Sequence, residues 1–556
     1  MKRGSCGFIV RADTDLDDVL AEVRRRVDLR AEPSARCVRR YYDSFDWLLY
    51  NAGTVFYQEG VGKKKTHLHW EPLGDERPKD SLAMPEAPRF AEELPTGQFR
   101  DDLASVLDLR ALLPLAEVRY RQAVFTVLDA NEKTVARLLV KDNATASNTT
   151  PGKRTPLSTT LHVLPVKGYH DAYKALCKTL RRQPGLAPTD GHPLLLVLQA
   201  LGRAPGDTAP KKDPVLDPEM RADAAVKQIL QALFETLERN EPGLREDLDS
   251  EFLHDFRVAV RRTRSVLGQL KKVFPPEILM HFRPAFKWLG SVTGPTRDLD
   301  VYLIKFEKYQ TWLPPSVQQD LIPLRHFLRL HQKQEHARLV ETLDSPRYRA
   351  LTEDWQGYLE TPVPKTPPTP EAARPVLRVA SERIWKAYKK VLHEGTAIID
   401  APETPAEKLH QLRITCKKLR YLLELFRSLY PPKIIRKLIL ALKQLQDNLG
   451  DFNDCEVQQD TLHQFALQMV EEGEVPTETF LAVGRLEARL EMLQHETREA
   501  FTERFTKFAA PKNQKRFKDL FKRQLPVAIG RALQPFPRSK PDVRLSPHPA
   551  FRIDAL

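Results

Sequence analysis

The stretch LHDFRVAVRRTR, residues 253–264, decides the fold, because it occurs twice in the chain in altered form. The second occurrence is LHQLRITCKKLR, residues 409–420. His254 plus 156 is His410, and the four cationic side chains of the first stretch coincide with four in the second under the same shift. This constant spacing indicates an internal duplication.

The match continues without a gap beyond the two stretches. FPPEI at 274–278 aligns with YPPKI at 430–434, and FKWLGSVTGPTRDLDV at 286–301 aligns with LKQLQDNLGDFNDCEV at 442–457. One offset over about fifty residues predicts two copies of one helical unit. The matched polar and glycine positions in the longer pair are Lys287 with Lys443, Gly294 with Gly450, and Asp298 with Asp454.

Each quoted stretch is predicted to form an amphipathic helix with a cationic stripe. At about 100° per residue, apolar side chains such as Phe256 and Val260 lie largely opposite the histidine and arginines of the first stretch. Arg262 and Lys418 lie on the flanks of their stripes. The stripes themselves comprise His254, Arg257, Arg261 and Arg264 in the first copy and His410, Arg413, Lys417 and Arg420 in the second.

A row of cations on a helix is usually a solvated surface, so a further argument is needed before it indicates a ligand. The sequence suggests that the stripes lack the carboxylates four residues away that normally neutralise an exposed helix, and cations one turn apart repel each other. We therefore expect an anion beside them. The recurrence of the stripe is weaker support, because a duplication copies any surface.

The spacing of the cations indicates a linear polyanion. Successive helical turns are ~5.4 Å apart, which suits a ligand with many phosphates. Arginine can clasp phosphate oxygens with two hydrogen bonds, and lysine acts as a mobile point charge. The stripes carry no aromatic side chains of the kind that stack bases, and no RNA-binding or recognition-helix signature accompanies them. The predicted ligand is therefore a phosphate chain without bases.

The two copies, with HDFRVAVRRTR, GPTRDLDV, HQLRITCKKLRYLLELF and LKQLQDNLGDFND, resemble the CHAD domain, the conserved-histidine α-helical domain, over about 217–505. The resemblance implies two four-helix bundles related by pseudo-twofold symmetry. It also implies that basic residues line a groove or pore that binds inorganic polyphosphate, and it suggests association with polyphosphate granules. The residues to which it assigns binding are His254, Arg257, Arg261, Arg262, Arg264, Lys287, His410, Arg413, Lys417, Lys418, Arg420 and Lys443.

The remaining matched residues are expected to be structural. Asp298 and Asp454 are predicted to cap helices or orient neighbouring cations rather than to bind metal. Gly294 and Gly450 are predicted to lie in turns.

A metal phosphohydrolase is the enzymatic alternative for the repeats. His254-Asp255 is similar to an HD dyad, but the second copy reads His410-Gln411 and lacks the carboxylate. No other group of His and Asp has metal-ligand spacing on a helix. We therefore expect no metal, no other cofactor and no catalytic residue.

The first 200 residues predict an α+β domain. RQAVFTVLDA (121–130), TVARLLVKD (134–142) and TTLHVLPVKG (159–168) have the composition and alternation of strands. DLDDVLAEVRRRV (15–27) and YHDAYKALCKTLRRQ (169–183) have helical periodicity.

YYDSFDWLLYNAG (41–53) and LPVKG (164–168) resemble segments of the CYTH domain, the triphosphate tunnel fold, which implies an antiparallel β-tunnel. The family's ExExK strand, which binds metal and phosphate, corresponds here to CGFIVRA (6–12), which has no glutamate. The family's next arginine-bearing strand reads TVFYQEG (54–60). Phosphoryl transfer needs the missing groups, so we expect a degenerate, non-catalytic domain with a structural or partner-binding role.

Composition favours an anionic partner. The chain has 556 residues and a formal net charge of +13, and residues 511–556 alone hold 11 basic and 3 acidic side chains. One alternative to polyphosphate is therefore a nucleic-acid-binding arm in this tail, and another is an active CYTH-type triphosphatase. The basic residues of the arm would be Lys512, Lys515, Arg516, Lys518, Lys522 and Arg523.

The cysteines and the apolar runs indicate a cytoplasmic protein. The five cysteines are scattered and form no CxxC pair, which fits a reducing cytosol and argues against a disulfide scaffold or a thiolate zinc site. No apolar run approaches the ~20 residues of a membrane span. The first residues also lack the apolar core of a signal peptide.

Two proline-rich segments, GRAPGDTAPKKDP (202–214) and TPVPKTPPTPEAARP (361–375), are predicted to be extended connections. We expect a degenerate CYTH-like domain at 1–200, a linker at 201–216, a CHAD domain at 217–510 and a basic tail at 511–556. Within the CHAD domain, the expected parts are repeat 1 at about 217–360, the proline-rich linker at 361–375 and repeat 2 at about 376–510.

Overall fold

The structure is a computed structural model that describes residues 6–62, 66–73, 80–148, 153–189, 192–208, 213–401, 405–473 and 475–523. The chain divides into two compact units, Met1–Pro210 and Lys211–Leu556. The first is built on a β-sheet and the second on helices. The predicted fold class, an α+β domain with an antiparallel sheet followed by an all-α domain, is therefore confirmed.

The described residues of the first unit contribute eleven strands to one antiparallel sheet. The strands are β1 (Cys6–Val10), β2 (Asp28–Ala31), β3 (Ala35–Asp43), β4 (Thr54–Val61), β5 (His67–Pro72), β6 (Asp80–Ala83), β7 (Leu113–Leu128), β8 (Thr134–Ser147), β9 (Thr155–Pro156), β10 (Thr160–Pro165) and β11 (Leu186–Thr189). Their order is β11-β1-β10-β8-β7-β3-β4-β5-β6, with β2 beside β7 and β9 beside β8. The predicted strands at 121–130 and 134–142 are thus parts of the two longest strands, which lie at the centre of the sheet.

Helices cover the sheet because their apolar stripes need a partner. They are α1 (Leu16–Arg24), α2 (Leu48–Asn51), α3 (Gln98–Leu107), α4 (His170–Arg181) and α5 (Pro193–Ala200). Both predicted helices of this unit are present as α1 and α4, which pack Leu20 and Leu180 against Phe8 and Leu138. The short apolar helix α5 packs on another part of the sheet, beside Tyr41.

Cys6 of β1 and Cys177 of α4 form a disulfide, with Cα atoms 6.0 Å apart. The sequence argues against a disulfide scaffold and gives no indication of this single pair. The two residues are 171 positions apart, so their pairing is hidden in the sequence and arises only because α4 packs beside β1. Cys37, Cys416 and Cys455 are buried free thiols.

All regular elements in the described residues of the second unit are helices. Its helices are α6 (Ala222–Arg245), α7 (Ser250–Gln269), α8 (Pro276–Val292), α9 (Gly294–Thr311), α10 (Ile322–Leu343), α11 (Pro346–Glu360), α12 (Val376–Ile399), α13 (Ala406–Leu425), α14 (Pro432–Glu472), α15 (Thr477–Phe508) and α16 (Pro511–Phe517). The duplication is visible in these bounds, because α7 and α13 are both 20 residues long and begin 156 positions apart. The starts of α8 and α14 differ by the same 156 positions.

The two copies differ where α8 meets α9. The first copy has Pro295 here, which lacks an N–H for the helical hydrogen bond and so favours a new helix start. The second copy has Asp451 at the equivalent position, and α14 passes through it without a break over a total length of 41 residues. Gly294 begins α9, whereas Gly450 lies inside α14, so the prediction of a turn at Gly450 is wrong.

The two copies share a hydrophobic core. Phe306 of α9 and Leu328 of α10 belong to the same buried cluster as Leu462 of α14 and Leu486 of α15. Each copy therefore completes the burial of the other, which explains why the second unit is one compact body.

The beginning of the predicted basic tail is folded. α16 is followed by a π-helical turn at Lys518–Lys522, and Phe517 and Phe521 are buried. The Phe517 ring stacks on Tyr388 with centroids 3.8 Å apart, and Phe521 contacts the Tyr430 ring at 4.9 Å. The predicted boundary at 511 is thus corrected for residues 511–523, while 524–556 lie outside the described residues. Among the described helices, none is both long enough and apolar enough to cross a bilayer.

Candidate anion-binding groove

The first cationic stripe is held in place by the buried face of α7. The Asp249 side chain caps this helix by accepting hydrogen bonds from the backbone N–H groups of Glu251 and Phe252 at 3.0 and 3.2 Å. Phe256 and Val260 are fully buried. Because these side chains fix the rotation of the helix, the stripe must face away from them.

A groove of about 1550 Å³ runs between the two copies of the second unit. Its described lining includes residues of α7, α8, α12, α13 and α14, so neither copy forms it alone. Eleven of these lining residues are Lys or Arg, whereas two, Glu456 and Asp460, are acidic. The cations are Arg261, Arg264, Lys271, Arg283, Lys287, Arg383, Lys386, Lys390, Arg413, Lys417 and Lys418.

The groove brings together some of the residues that the sequence predicts to bind polyphosphate. Seven of the twelve predicted residues line it, namely Arg261, Arg264, Lys287, His410, Arg413, Lys417 and Lys418. The other five are outside its lining, namely His254, Arg257, Arg262, Arg420 and Lys443. The equivalents Lys287 and Lys443 are both exposed, but only Lys287 belongs to the groove.

Arg257 is a buried residue that fastens α7 to α8. Its guanidinium donates hydrogen bonds to the Thr293 hydroxyl at 2.8 Å and to the Gly290 carbonyl at 3.2 Å. Burial lowers its pKa to about 10, an effect that Asp298 opposes and that Arg261 and other nearby arginines reinforce. Arg257 therefore stays cationic at neutral pH. Its buried charge adds to the positive potential of the more exposed cations on α7.

Asp298 and Asp454 lie beside buried arginines in the two copies. Arg413 and Asp454 form an ion pair at 3.4 Å, and Asp298 interacts electrostatically with Arg257. Both aspartates are inside helices, α9 and α14, so the prediction that they cap helices is wrong. The other predicted role, orienting neighbouring cations, agrees with these contacts.

The two histidines of the repeat have different partners. His254 Nδ1 accepts a hydrogen bond from the Arg297 guanidinium at 3.0 Å. His410 Nδ1 lies 2.6 Å from the amide oxygen of Asn453, so this ring nitrogen is the donor. His410 is exposed in the groove wall, whereas His254 is held against a buried arginine outside it.

A carboxylate joins the two copies beside the groove. Glu424 of α13 pairs with Arg262 of α7 at 3.2 Å and with Arg420 of its own helix at 2.7 Å. Arg420 and Glu424 are four residues apart, which corrects the expectation that the stripes lack neutralising carboxylates. Gly268 occupies the position equivalent to Glu424 in the first copy, so α7 lacks this acid.

Arg264 and Arg420 are therefore equivalent in sequence but not in environment. Arg264 is exposed in the groove and passes over Gly290, where an added Cβ would lie 2.7 Å from its Nη1. Arg420 is half-buried beside Glu424 and lies 3.5 Å from the Gln446 side-chain oxygen.

Five cations of the groove were missed by the sequence analysis. Arg383, Lys386 and Lys390 of α12 recur at helical spacing, which is a signal that could have been used. The comparison of the two copies does not reveal this signal, because it is confined to one of them. The equivalents of these three residues in α6 are Lys227, Leu230 and Phe234, so the offset predicts no stripe there. Lys271 and Arg283 complete the missed set.

A buried carboxyl lies in the first copy, near the His254 pair. Asp300 accepts a hydrogen bond from the Gln332 amide at 3.1 Å. Burial raises its pKa to about 7, although the neighbouring Arg297 works to lower it. Among the described residues, no group of three His, Cys, Asp or Glu side chains is placed to hold a metal ion.

Three solved structures are similar to parts of this chain. The CHAD domain from the plant Ricinus communis has 25% sequence identity and a TM-score of 0.45, covering 54% of this chain and 97% of its own. PptA from Streptomyces chartreusis has 18% identity and a TM-score of 0.39, with 52% and 100% covered. The PH1819 protein from Pyrococcus horikoshii OT3 has 14% identity and a TM-score of 0.22, with 35% and 98% covered. No curated protein matches the chain, whereas the family model of the CHAD domain matches residues 228–463.

Proposed function

Residues 228–463 match the CHAD domain, and from this match we propose a function for the second unit. We propose that the protein binds inorganic polyphosphate in the groove between its two helical copies. The observation that carries the proposal is the excess of eleven cations over two carboxylates in the described lining of that groove. Such an excess repels itself unless an anion is present. A chain of phosphates can satisfy cations along the whole groove, which a single small anion cannot do.

The proposed binding residues differ in the contacts that their side chains make. The exposed and half-buried cations that line the groove are proposed to contact phosphate directly, and Arg264 is the most exposed member of the α7 stripe. Arg413 is buried beside Asp454, so it is proposed to support them. Arg257 is proposed to support them, because its guanidinium is engaged with Thr293. Arg262 and Arg420 share Glu424, so the carboxylate offsets part of their charge. His254 and Lys443 are proposed to make no direct contact with phosphate and to contribute only to the long-range electrostatic potential of the groove.

The proposed role is binding rather than catalysis. Neither β1 nor β4 carries the set of metal-binding carboxylates and cations that phosphoryl transfer requires. A groove that holds long chains would also place the protein on polyphosphate granules, and this localisation is part of the proposal.

The test is calorimetric titration of the full chain with long-chain polyphosphate, at roughly 50 and 200 mM salt. The variant Arg264→Glu/Lys417→Glu reverses one groove cation in each copy. The matched control Lys512→Glu/Lys515→Glu reverses two exposed cations of α16. We expect the groove variant to bind at least about tenfold more weakly than the control, because each reversal replaces an attraction with a repulsion. Equal losses in both variants would move the site away from the groove.

Nucleic acid is the second candidate ligand, because α16 and the turn after it present Lys512, Lys515, Lys518 and Lys522 at the surface. Competition distinguishes the two ligands. If the groove is a polyphosphate site, RNA at the same phosphate concentration does not displace bound polyphosphate. Efficient displacement by RNA, abolished in the α16 variant, would favour the nucleic-acid function instead.

A further inference from the structure

A second cavity lies in the first unit, between the sheet and α5. It has a volume of about 340 Å³, which is within the usual size of a small-molecule site. Strands β1, β3, β7, β8 and β10 contribute one side, and Leu196 and Val197 of α5 contribute the other. The lining residues Pro156, Ser158 and Gln199 are exposed, so they mark the opening to solvent. The polyphosphate groove belongs to the other unit, so this cavity has no part in the function proposed above.

Most of the cavity wall is apolar. Hydrocarbon surface comes from separate segments of the chain, namely from Ile9, Val118, Ala144, Leu157 and Leu196. Water inside such a wall makes few hydrogen bonds, so a hydrocarbon body that replaces it lowers the free energy. The wall therefore suits a ligand that is largely apolar.

The two cations of the described lining, Arg39 and Lys141, are both engaged by the protein. Arg39 forms an ion pair with Glu59 at 2.7 Å. The Lys141 ammonium group lies 5.4 Å from the centre of the Tyr120 ring, and this lysine has further interactions within the protein. Burial acts to raise the pKa of Glu59, but Arg39 and Lys141 outweigh it and hold the value at about 2, so Glu59 is ionised at neutral pH.

A second carboxylate, Glu71, is buried on the same part of the sheet. It lies 2.7 Å from His192 Nε2, and the Tyr57 hydroxyl donates to its other oxygen at 3.2 Å. His192 Nδ1 accepts the backbone N–H of Leu194 at 3.1 Å, so the proton of this ring is on Nε2 and is directed at Glu71. The carboxylates Glu59 and Glu71 thus match the two cations in number, and each of the four groups has partners in the protein. A molecule in the cavity therefore needs no charge of its own.

The Tyr41 hydroxyl keeps an unused donor in the cavity wall. Tyr41 is 1% exposed, and its oxygen accepts a hydrogen bond from Arg39 Nη1 at 3.3 Å. Burial raises the pKa of this hydroxyl, so it keeps its proton at neutral pH. The proton of the neighbouring Tyr120 goes to Glu59, but no described residue accepts that of Tyr41. It is therefore available to a molecule in the cavity.

From this arrangement we propose that the cavity binds a small, uncharged and largely apolar molecule whose carbonyl oxygen accepts the Tyr41 proton. The apolar body lies against Val118, Leu157 and Leu196. The polar groups beside Tyr41 are donors, so an acceptor that brings no proton, as in a ketone or an ester, is the head group that fits. An ionised carboxylate would be buried among charges that are already engaged, which is costly.

The experiment is calorimetric titration of the full chain with two ketones, 2-decanone and 2-acetylnaphthalene. Decanoate and 2-naphthoate carry a negative charge on the same bodies, and 2-ethylnaphthalene lacks the acceptor. We expect at least one ketone to bind, and its carboxylate analogue to bind at least about tenfold more weakly. If 2-acetylnaphthalene is the ketone that fits, 2-ethylnaphthalene should bind about threefold to tenfold more weakly, because the Tyr41 proton then has no acceptor.

Tyr41→Phe removes the hydroxyl and keeps the ring. It should weaken ketone binding about threefold to tenfold and leave the binding of 2-ethylnaphthalene unchanged. The matched control is Tyr173→Phe, which removes a hydroxyl of α4 outside the cavity and should change neither. Ser158→Trp, at the opening, should block the cavity without disturbing the core, and it keeps the proposal testable if Tyr41→Phe fails to fold.

Three results would overturn the proposal outright: neither ketone binds, Ser158→Trp leaves ketone binding intact, or Tyr41→Phe leaves the advantage of the ketone over 2-ethylnaphthalene unchanged. A carboxylate that binds as tightly as its ketone, and is lost in Ser158→Trp, would also overturn it, because the cavity would then take a charged ligand.

Discussion

Equivalent residues of the two copies can have different roles, and Arg264 and Arg420 show why. They match under the duplication, yet Glu424 pairs with Arg420 while Gly268 occupies the same position beside Arg264. We predict that Arg264→Ala weakens polyphosphate binding about tenfold, because an exposed groove cation is lost. Arg420→Ala, the matched control, should cost less than about threefold. Titration calorimetry measures both, and a larger loss for Arg420→Ala would contradict the groove assignment.

A residue-scale prediction also follows from the pKa of Asp300, about 7. Below about pH 4 the carboxyl is protonated in both the folded and the unfolded chain, so it costs nothing. As the pH rises towards 7, the unfolded chain releases this proton before the folded chain does, and stability falls. We expect Asp300→Asn to raise the free energy of unfolding by about 2 kcal/mol at pH 8 and by much less at pH 5.

Urea denaturation of both proteins at the two pH values measures this difference. The asparagine oxygen can still accept the Gln332 hydrogen bond, so the substitution isolates the charge. A benefit that is equal at pH 8 and pH 5 would mean that the titration of Asp300 is not its cause.

At the scale of elements, two glycines in helices test how closely the helices pack. A Cβ on Gly395 of α12 would lie 1.8 Å from the Phe505 ring of α15, which cannot be accommodated without movement. We predict that Gly395→Ala lowers the free energy of unfolding by about 1–3 kcal/mol. Gly357 of α11 is exposed with open space around it, so Gly357→Ala should instead stabilise by up to about 1 kcal/mol. Thermal and urea denaturation compare the two, and equal effects would refute the close packing.

The helical segment after residue 510 gives a second prediction at this scale. Phe517 is fully buried and stacks on Tyr388, so Phe517→Ala should destabilise the second unit by about 3–4 kcal/mol. Leu440 of α14 is 56% exposed, and Leu440→Ala is a control that should change little. Urea denaturation followed by circular dichroism reports the difference. A small effect at Phe517 would show that this segment does not belong to the fold.

The elements differ in how far the sequence predicts them. The helices α7 and α13 and their stripes follow from the apolar period and the repeated offset, and these are local signals. The continuity of α14 could also be foreseen, since Asp451 replaces Pro295. The Cys6–Cys177 pair and the ion pair between Arg262 and Glu424 join distant segments, so no local pattern contains them. The groove cations of α12 do not follow from the duplication, because the equivalents of Lys386 and Lys390 in the other copy are the apolar Leu230 and Phe234.

At the scale of the whole molecule, a groove with eleven lining cations should make binding strongly dependent on salt. We predict that the dissociation constant for polyphosphate rises about 100-fold or more between roughly 50 and 200 mM salt. The slope of log Kd against log salt should fall by about one for Arg264→Ala, because one phosphate contact is removed. A series of titrations at four salt concentrations gives both slopes. A slope unchanged by the substitution would mean that Arg264 does not meet the ligand.

The uninterrupted α14 gives the groove one stiff wall. At 1.5 Å per residue its 41 residues form a rod about 60 Å long. The first copy contributes the shorter α8, which ends just before Pro295, where α9 begins. A polyphosphate chain bound as proposed would therefore lie beside one copy along a continuous helix and beside the other along a helix that is interrupted before Pro295 and carries Arg283 and Lys287.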